Sequence, residues 1–250
     1  MKMTSNKVYL RDIRFSKKNP GENYWCCLPF YRELISGKKI SFNTPVTFFI
    51  GENGSGKSTL IEAIAVAMGY NAEGGSKNFN FSTRNTTSML YDELQLSKIA
   101  YESDGFFLRA ESFYNVATHI DDLRINIDNY GGKSLHNQSH GESFLALVQN
   151  RFRGNGFYIL DEPEAALSPM RQLTLLIEIN NLVKNNSQFI IATHSPILLA
   201  YPGAQIYNLD SGIERIDYAE TEHYKMTRDF LDNPDIFIKR LFDSDLPTDK

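Results

Sequence analysis

Within nine residues, Gly51-Glu52-Asn53-Gly54-Ser55-Gly56-Lys57-Ser58-Thr59, the sequence places three glycines, one lysine and three hydroxyl side chains. Gly51, Gly56, Lys57 and Ser58 fill the fixed positions of the phosphate-loop template G-x-x-x-x-G-K-[ST]. Glycines at these spacings let backbone N–H groups point inward around a polyphosphate, and a helix starting at the lysine adds its positive dipole end. Lys57 would reach the outer phosphates, and the Ser58 hydroxyl would hold Mg²⁺. The plain alternative is a glycine-rich turn without a ligand, yet the four fixed positions match by chance in roughly one chain of this length in a hundred. Further on, Asp161 and Glu162 close one apolar run and His194 closes another. An acid such as Asp161 can serve Mg²⁺ through water, and a neighbour such as Glu162 can orient or deprotonate an attacking water. A lone histidine is more often structural, but one delivered beside such an acid fits a γ-phosphate contact.

Each group needs an element to aim it. Val46–Ile50 reads as a short buried strand ahead of the loop. Behind it Leu60, Ile61, Ile64, Ala65 and Met68 recur at helical spacing, so the loop has the strand–helix context the template requires. Residues 157–160 are four apolar positions running into two acids, the pattern of a buried parallel strand whose C-terminal end feeds a site. Residues 188–193 read as another such strand, delivering His194. Between them, residues 163–169 form a turn with Pro169 suited to a first helical position. The helix that follows carries Leu173, Leu176, Ile177, Asn180 and Val183 on one face. Tyr130-Gly131-Gly132-Lys133 and then Ser139-His140-Gly141-Glu142 precede an apolar helix, which gives either a second anion-binding N-terminus or a simple serine cap.

Composition sets the frame. The 250 residues, 42% apolar and 22% charged, suffice for one large α/β domain or two small ones with a full core. A net charge of −4 gives no global basic footprint, so a nucleic-acid contact would need a local patch or a partner. Cys26 and Cys27 are adjacent, a spacing that rarely bridges and matches no C-x-x-C metal pair, which predicts a reducing compartment. No apolar run reaches the roughly 18 residues of a membrane span, and the N-terminus lacks a signal-peptide core. The expectation is a soluble, cytoplasmic protein. Residues 8–15 and 105–111 read as strands, 71–88 as a polar surface loop, and 89–99 as a short helical pattern. Residues 20–45 are turn-rich around Tyr24, Trp25, Phe30 and Tyr31; one of these could stack on a purine, although core packing suits them better. Residues 206–218 read as a closing hairpin, 220–243 as helices broken at Asn233-Pro234, and the tail from Ser244 as a frayed terminus.

Taken in order, these segments resemble the ABC-class ATPases. The P-loop is 51–58, the signature-like loop Ser139-His140-Gly141-Glu142, the Walker B strand 158–161 with Glu162, the D-loop Ala166-Leu167-Ser168-Pro169, and the switch histidine His194. Asp161-Glu162-Pro163-Glu164 and Thr193-His194-Ser195-Pro196 look like the SMC/RecF-like soluble branch and bacterial stand-alone ATPases; transporter subunits usually carry aspartate where this chain has Ser195. The resemblance implies an α/β P-loop NTPase fold: a mixed, mainly parallel central sheet flanked by helices. It would form one domain over residues 1–250, with a small helical, signature-bearing subdomain near residues 85–150. It also implies a soluble ATPase that uses ATP and Mg²⁺ and closes as an ATP-dependent head-to-tail homodimer. The target would be DNA or a protein partner, in DNA maintenance or defence; the alternative is the ATP-binding subunit of a membrane transporter. ATP would lie on Gly51, Glu52, Asn53, Gly54, Ser55, Gly56, Lys57, Ser58 and Thr59 of one copy and under Ser139, Gly141 and Glu142 of the other. Catalysis would fall to Glu162, His194 and Lys57, and Mg²⁺ to Ser58 and Asp161. For the Q-loop metal position Glu111 fits by place and Gln95 by residue type, with Glu111 favoured. His140 and Glu142 stand where the common pattern has Gly and Gln. Only about 80 residues separate Lys57 from Ser139, too few for the long coiled-coil arm of true SMC proteins.

Overall fold

Strands that are apolar at every position must be covered on both faces, and this requirement organises the molecule. The structure, a computed structural model, describes residues 7–16, 23–77, 88–111, 113, 118 and 139–243. In chain order its elements are β1 (Leu10–Phe15), α1 (Pro29–Ile35), β2 (Ile40–Ser41), β3 (Val46–Ile50) and α2 (Lys57–Ala67). There follow β4 (Leu94–Lys98), β5 (Asp104–Arg109), α3 (His140–Arg151), β6 (Gly156–Asp161), α4 (Pro169–Lys184) and β7 (Gln188–Ala192). The chain then forms α5 (Pro196–Leu199), β8 (Gln205–Asn208), β9 (Glu214–Ile216), α6 (Glu222–Asp232) and α7 (Pro234–Asp243).

The central sheet has the order β5-β6-β7-β3-β8-β9, parallel from β5 to β8 and closed by antiparallel β9. A smaller antiparallel sheet runs β2-β1-β4. Side-chain alternation sorts the core into two layers. Phe48, Tyr158, Leu160, Phe189 and Ile191 pack with α3 and α4, whereas Phe49, Phe157, Ile159 and Ile190 pack with α2 and the small sheet. Burying the four residues 157–160 contributes on the order of 6–12 kcal/mol before chain entropy is charged against it. Gln188 joins the sheets: its Oε1 accepts the N–H groups of Tyr9 and Leu10 at 2.7 and 3.0 Å, and its Nε2 donates to the Leu10 carbonyl at 2.9 Å.

Because β3, β6 and β7 run parallel, their C-terminal ends emerge together. Register sets Phe49 opposite Ala192 and Ala192 opposite Asp161, so the loops starting at Gly51, Glu162 and Thr193 leave one sheet edge. That is the arrangement the sequence requires.

Several expectations change. Residues 89–99 form a 3₁₀ turn, Met89–Glu93, and then β4; Leu94 and Leu96 alternate against β1, and this pairing overrides the helical spacing. The turn-rich stretch 20–45 contains α1, started by Pro29 and packed through Phe30, Tyr31 and Leu34. Helix α4 buries Gln172, Leu175, Ile179, Leu182 and Val183, leaving Leu173 and Ile177 46% and 59% exposed. It carries two apolar stripes, and only tertiary packing chooses between them. Residues 78–87, 130–133 and the tail from 244 lie outside the described residues. Within 85–150, β4 and β5 are strands and α3 supplies the long helix.

Candidate functional site

Helix α2 starts without a side-chain cap. Its N-cap is Gly56, left-handed at φ 92°; a Cβ there would lie 2.6 Å from the Phe30 ring and 2.7 Å from Leu28. A Cβ on Gly51 would meet Ser55 Oγ at 2.7 Å and Asp210 Oδ1 at 2.8 Å. The loop is therefore wrapped too closely for side chains at these points, and the first-turn N–H groups of α2 stay bare for an anion. Asp210, just beyond β8, pins the loop by accepting the Glu52 N–H at 2.5 Å.

Buried Lys57 donates to the carbonyls of Gly51 (2.6 Å) and Glu52 (3.0 Å), which leaves the third ammonium proton for a phosphate. Burial lowers its pKa, while the carboxylates of Glu162, Asp210, Asp161 and Glu52 act in the opposite sense. Asp161, 3% exposed, accepts from Ser58 Oγ at 3.1 Å on one oxygen and from Arg109 Nε at 3.1 Å on the other. Burial raises its pKa, against the pull of Arg109 and Ser58. Arg109 also reaches Glu62 at 3.0 Å.

Glu162 sits at φ 49°, ψ 52°, a left-handed conformation that costs a non-glycine residue about 1–2 kcal/mol. The turn aims its side chain into a cleft of ≈ 300 Å³ lined also by Tyr24, Leu28, Asn53 and residues 56–59. His194 Nε2 lies 3.7 Å from Glu162 Oε1, and its Nδ1 lies 2.9 Å from His223 Nε2. Half-buried Glu164 accepts the His194 backbone N–H at 2.5 Å, and burial raises the Glu164 pKa. Burial, then Lys57 and His223, lowers the pKa of His194, which keeps its imidazole neutral near pH 7.

The residues fit a magnesium-bound polyphosphate. Ser55 Oγ is buried inside the loop with no hydrogen-bond partner among the described residues. Ser58 and Asp161 offer two hard oxygens side by side, and Mg²⁺ suits such a pair because it keeps several waters and takes its other ligands from phosphate.

The structure thus brings Lys57, Ser58, Asp161, Glu162 and His194 to one edge. Of the aromatic cluster, Trp25, Phe30 and Tyr31 are core, while Tyr24 is 62% exposed at the cleft mouth. Glu111 is exposed in the turn after β5, and Gln95 is exposed on β4 in the smaller sheet. At the start of α3, Glu142 folds back on its own cap: its Oε2 accepts from Ser139 N–H at 3.0 Å and Ser139 Oγ at 2.8 Å, and Arg171 holds its Oε1 at 3.0 Å. Those bonds, Ser139 first, lower the pKa of Glu142. Gly141 packs close enough to Ala166 and Arg171 that a Cβ would clash with both. Sequence reasoning missed Arg109, Asp210 and His223. Arg109 alone gave a signal, as the charged end of a strand paired with β6.

A mainly parallel sheet with a glycine loop after one strand and an acid pair after another is the arrangement of a P-loop nucleotide-binding fold. The family described as AAA domain (AAA_23) matches residues 30–195, and the chain belongs to it. The chain is also similar to solved structures. A nucleotide-free ATP-binding cassette from an ABC transporter has TM-score 0.50 and 18% identity over 92% of this chain and 99% of that one. The SMC head domain from Thermotoga maritima has TM-score 0.46 and 18% identity over 84% and 100%. CbiO1 from Clostridium perfringens, part of the ABC transporter complex cbiONQ, has TM-score 0.47 and 17% identity over 93% and 98%. No curated protein matches the chain.

Proposed function

We propose that this protein is a Mg²⁺-dependent ATPase that closes as a head-to-tail homodimer around ATP and so acts as a switch on a nucleic acid or protein partner. The observation that carries the reading is the meeting of Lys57, the Ser58–Asp161 pair, Glu162 and His194 at one sheet edge. The loop N–H groups and Lys57 bind the phosphates, and exposed Tyr24 offers a stacking face for the base. Ser58 and Asp161 would hold Mg²⁺, which neutralises charge developing on the phosphates. Glu162 orients a water and takes its proton at the carboxylate. His194 donates to the γ-phosphate from Nε2, the nitrogen that faces Glu162. Ser139, Gly141 and Glu142 of the second copy would cover the nucleotide. Ser195 caps α5 and bonds Gln172 at 2.5 Å, so position 195 supplies no carboxylate beside His194, unlike the usual transporter pattern.

Steady-state ATP turnover, with and without DNA, tests the proposal. Wild type is expected to hydrolyse ATP only with Mg²⁺, and Glu162→Gln to lose about 10²–10⁴-fold in rate while trapping a dimer. No turnover under any condition, with Glu162→Gln indistinguishable from wild type, sinks it. Co-purification with an integral membrane protein would favour the transporter alternative.

A further inference from the structure

The geometry points to His223 as the residue that sets the tautomer of His194, a positioning role that rests on the reaction proposed above. His223 lies in the first turn of α6, which is anchored by fully buried Thr221: its Oγ1 accepts the Tyr224 N–H at 3.3 Å and donates to the Tyr218 carbonyl at 2.8 Å. The two imidazoles meet through His194 Nδ1 and His223 Nε2 at 2.9 Å. Only one hydrogen fits between them, so one ring donates and the other accepts.

The surroundings choose the donor. His194 Nε2 and His223 Nδ1 are both buried and have no hydrogen-bond partner among the described residues. Suppose His194 donated from Nδ1. Its Nε2 lone pair would then face the Glu162 carboxylate 3.7 Å away, and neutral His223 would carry a buried N–H at Nδ1 without an acceptor. Both are unfavourable, because a buried donor left unmade keeps its full desolvation cost. If His223 donates from Nε2 instead, His194 presents an N–H at Nε2 toward Glu162, and His223 is left only with an unused lone pair. The second arrangement turns the repulsion between the Nε2 lone pair and the carboxylate into an attraction, and it moves the buried N–H from a nitrogen with no acceptor beside it to one that faces a carboxylate 3.7 Å away. It also turns the His194 donor toward Glu162, the side from which a γ-phosphate oxygen would be met; the opposite tautomer would offer that oxygen a lone pair. With the backbone of His194 held by Glu164, the ring is fixed at two points.

The test uses the full chain labelled with ¹⁵N at its five histidines, with His194 assigned by comparison with His194→Gln. Long-range ¹H–¹⁵N spectra without nucleotide should show His194 as a single Nε2–H tautomer, a mixture in His223→Leu, and the single form again in His223→Gln, whose amide can donate. In turnover assays His223→Leu should lower kcat about tenfold with KM for ATP little changed, and His223→Gln should recover most of it. An Nδ1–H tautomer in wild type, or a His223→Leu variant unchanged in both spectrum and kcat, overturns the inference. The spectra need no hydrolysis. If Glu162→Gln turned over ATP normally, the catalytic reading would fail while the spectra still decided the hydrogen bond.

Discussion

Replacing Arg109 by methionine removes the cation that the fold sets against Asp161 while keeping most of the side chain's apolar stem. Asp161 is almost wholly buried, and one of its two oxygens depends on Arg109 at 3.1 Å. Arg109 also supports Glu62, so the substitution leaves two carboxylates short of a partner. Breaking a buried pair from one side costs about 3–5 kcal/mol. Arg109 is 20% exposed, which places the loss near the low end, about 3 kcal/mol. At roughly 2–4 °C per kcal/mol for a domain of this size, Tm without nucleotide should fall by about 6–12 °C. Saturating Mg²⁺ and ATP would bring another cation to the Ser58–Asp161 pair, so the gap to wild type should shrink by more than half under those conditions. Thermal denaturation of both proteins with and without Mg²⁺–ATP reads this directly. A variant within about 2 °C of wild type, or a gap of equal size in both conditions, refutes the reasoning.

Other consequences follow from single contacts. Gly56→Ala forces an alanine into the left-handed region against Phe30 and Leu28, and should cost about 2 kcal/mol or more in a denaturant titration. Tyr24→Ala should weaken ATP binding about tenfold by loss of base stacking, with kcat little changed; equal affinity by calorimetry would exclude Tyr24 from the base site. Asp12 is buried, yet hydrogen bonds from Ser97, Arg11 and Arg14 outweigh burial and hold its pKa below the usual value. Its contribution is therefore present above the unfolded pKa of about 3.9 and lost as pH falls through the lower folded value. Asp12→Asn should be less stable than wild type at pH 7 and show a flatter loss of stability below about pH 4.

The sequence made the site's inner residues legible because their chemistry forces their spacing. A glycine loop needs a strand before it and a helix after it, and β3 and α2 supply them. The acid pair needs a strand buried on both faces, and β6 reads as one at every position. What stayed hidden depends on tertiary register. Arg109 meets Asp161 because β5 and β6 pair residue for residue, which no local pattern encodes. His223 reaches His194 across 29 positions, through the docking of a mostly exposed amphipathic helix. The packed face of α4 is only partly legible: Leu176 and Val183 reach the core, but Leu173 and Ile177 form a second apolar stripe that the core does not use.

The central claim is that one nucleotide is gripped by the 51–58 loop and the acid-ended strand together. Isothermal titration of ATP, with and without Mg²⁺, into wild type, Lys57→Ala and Asp161→Ala tests it most directly. Wild type should bind more tightly with Mg²⁺, Asp161→Ala should lose that enhancement, and Lys57→Ala should lose binding. Tight binding retained by Lys57→Ala, or a full Mg²⁺ enhancement retained by Asp161→Ala, would contradict the account.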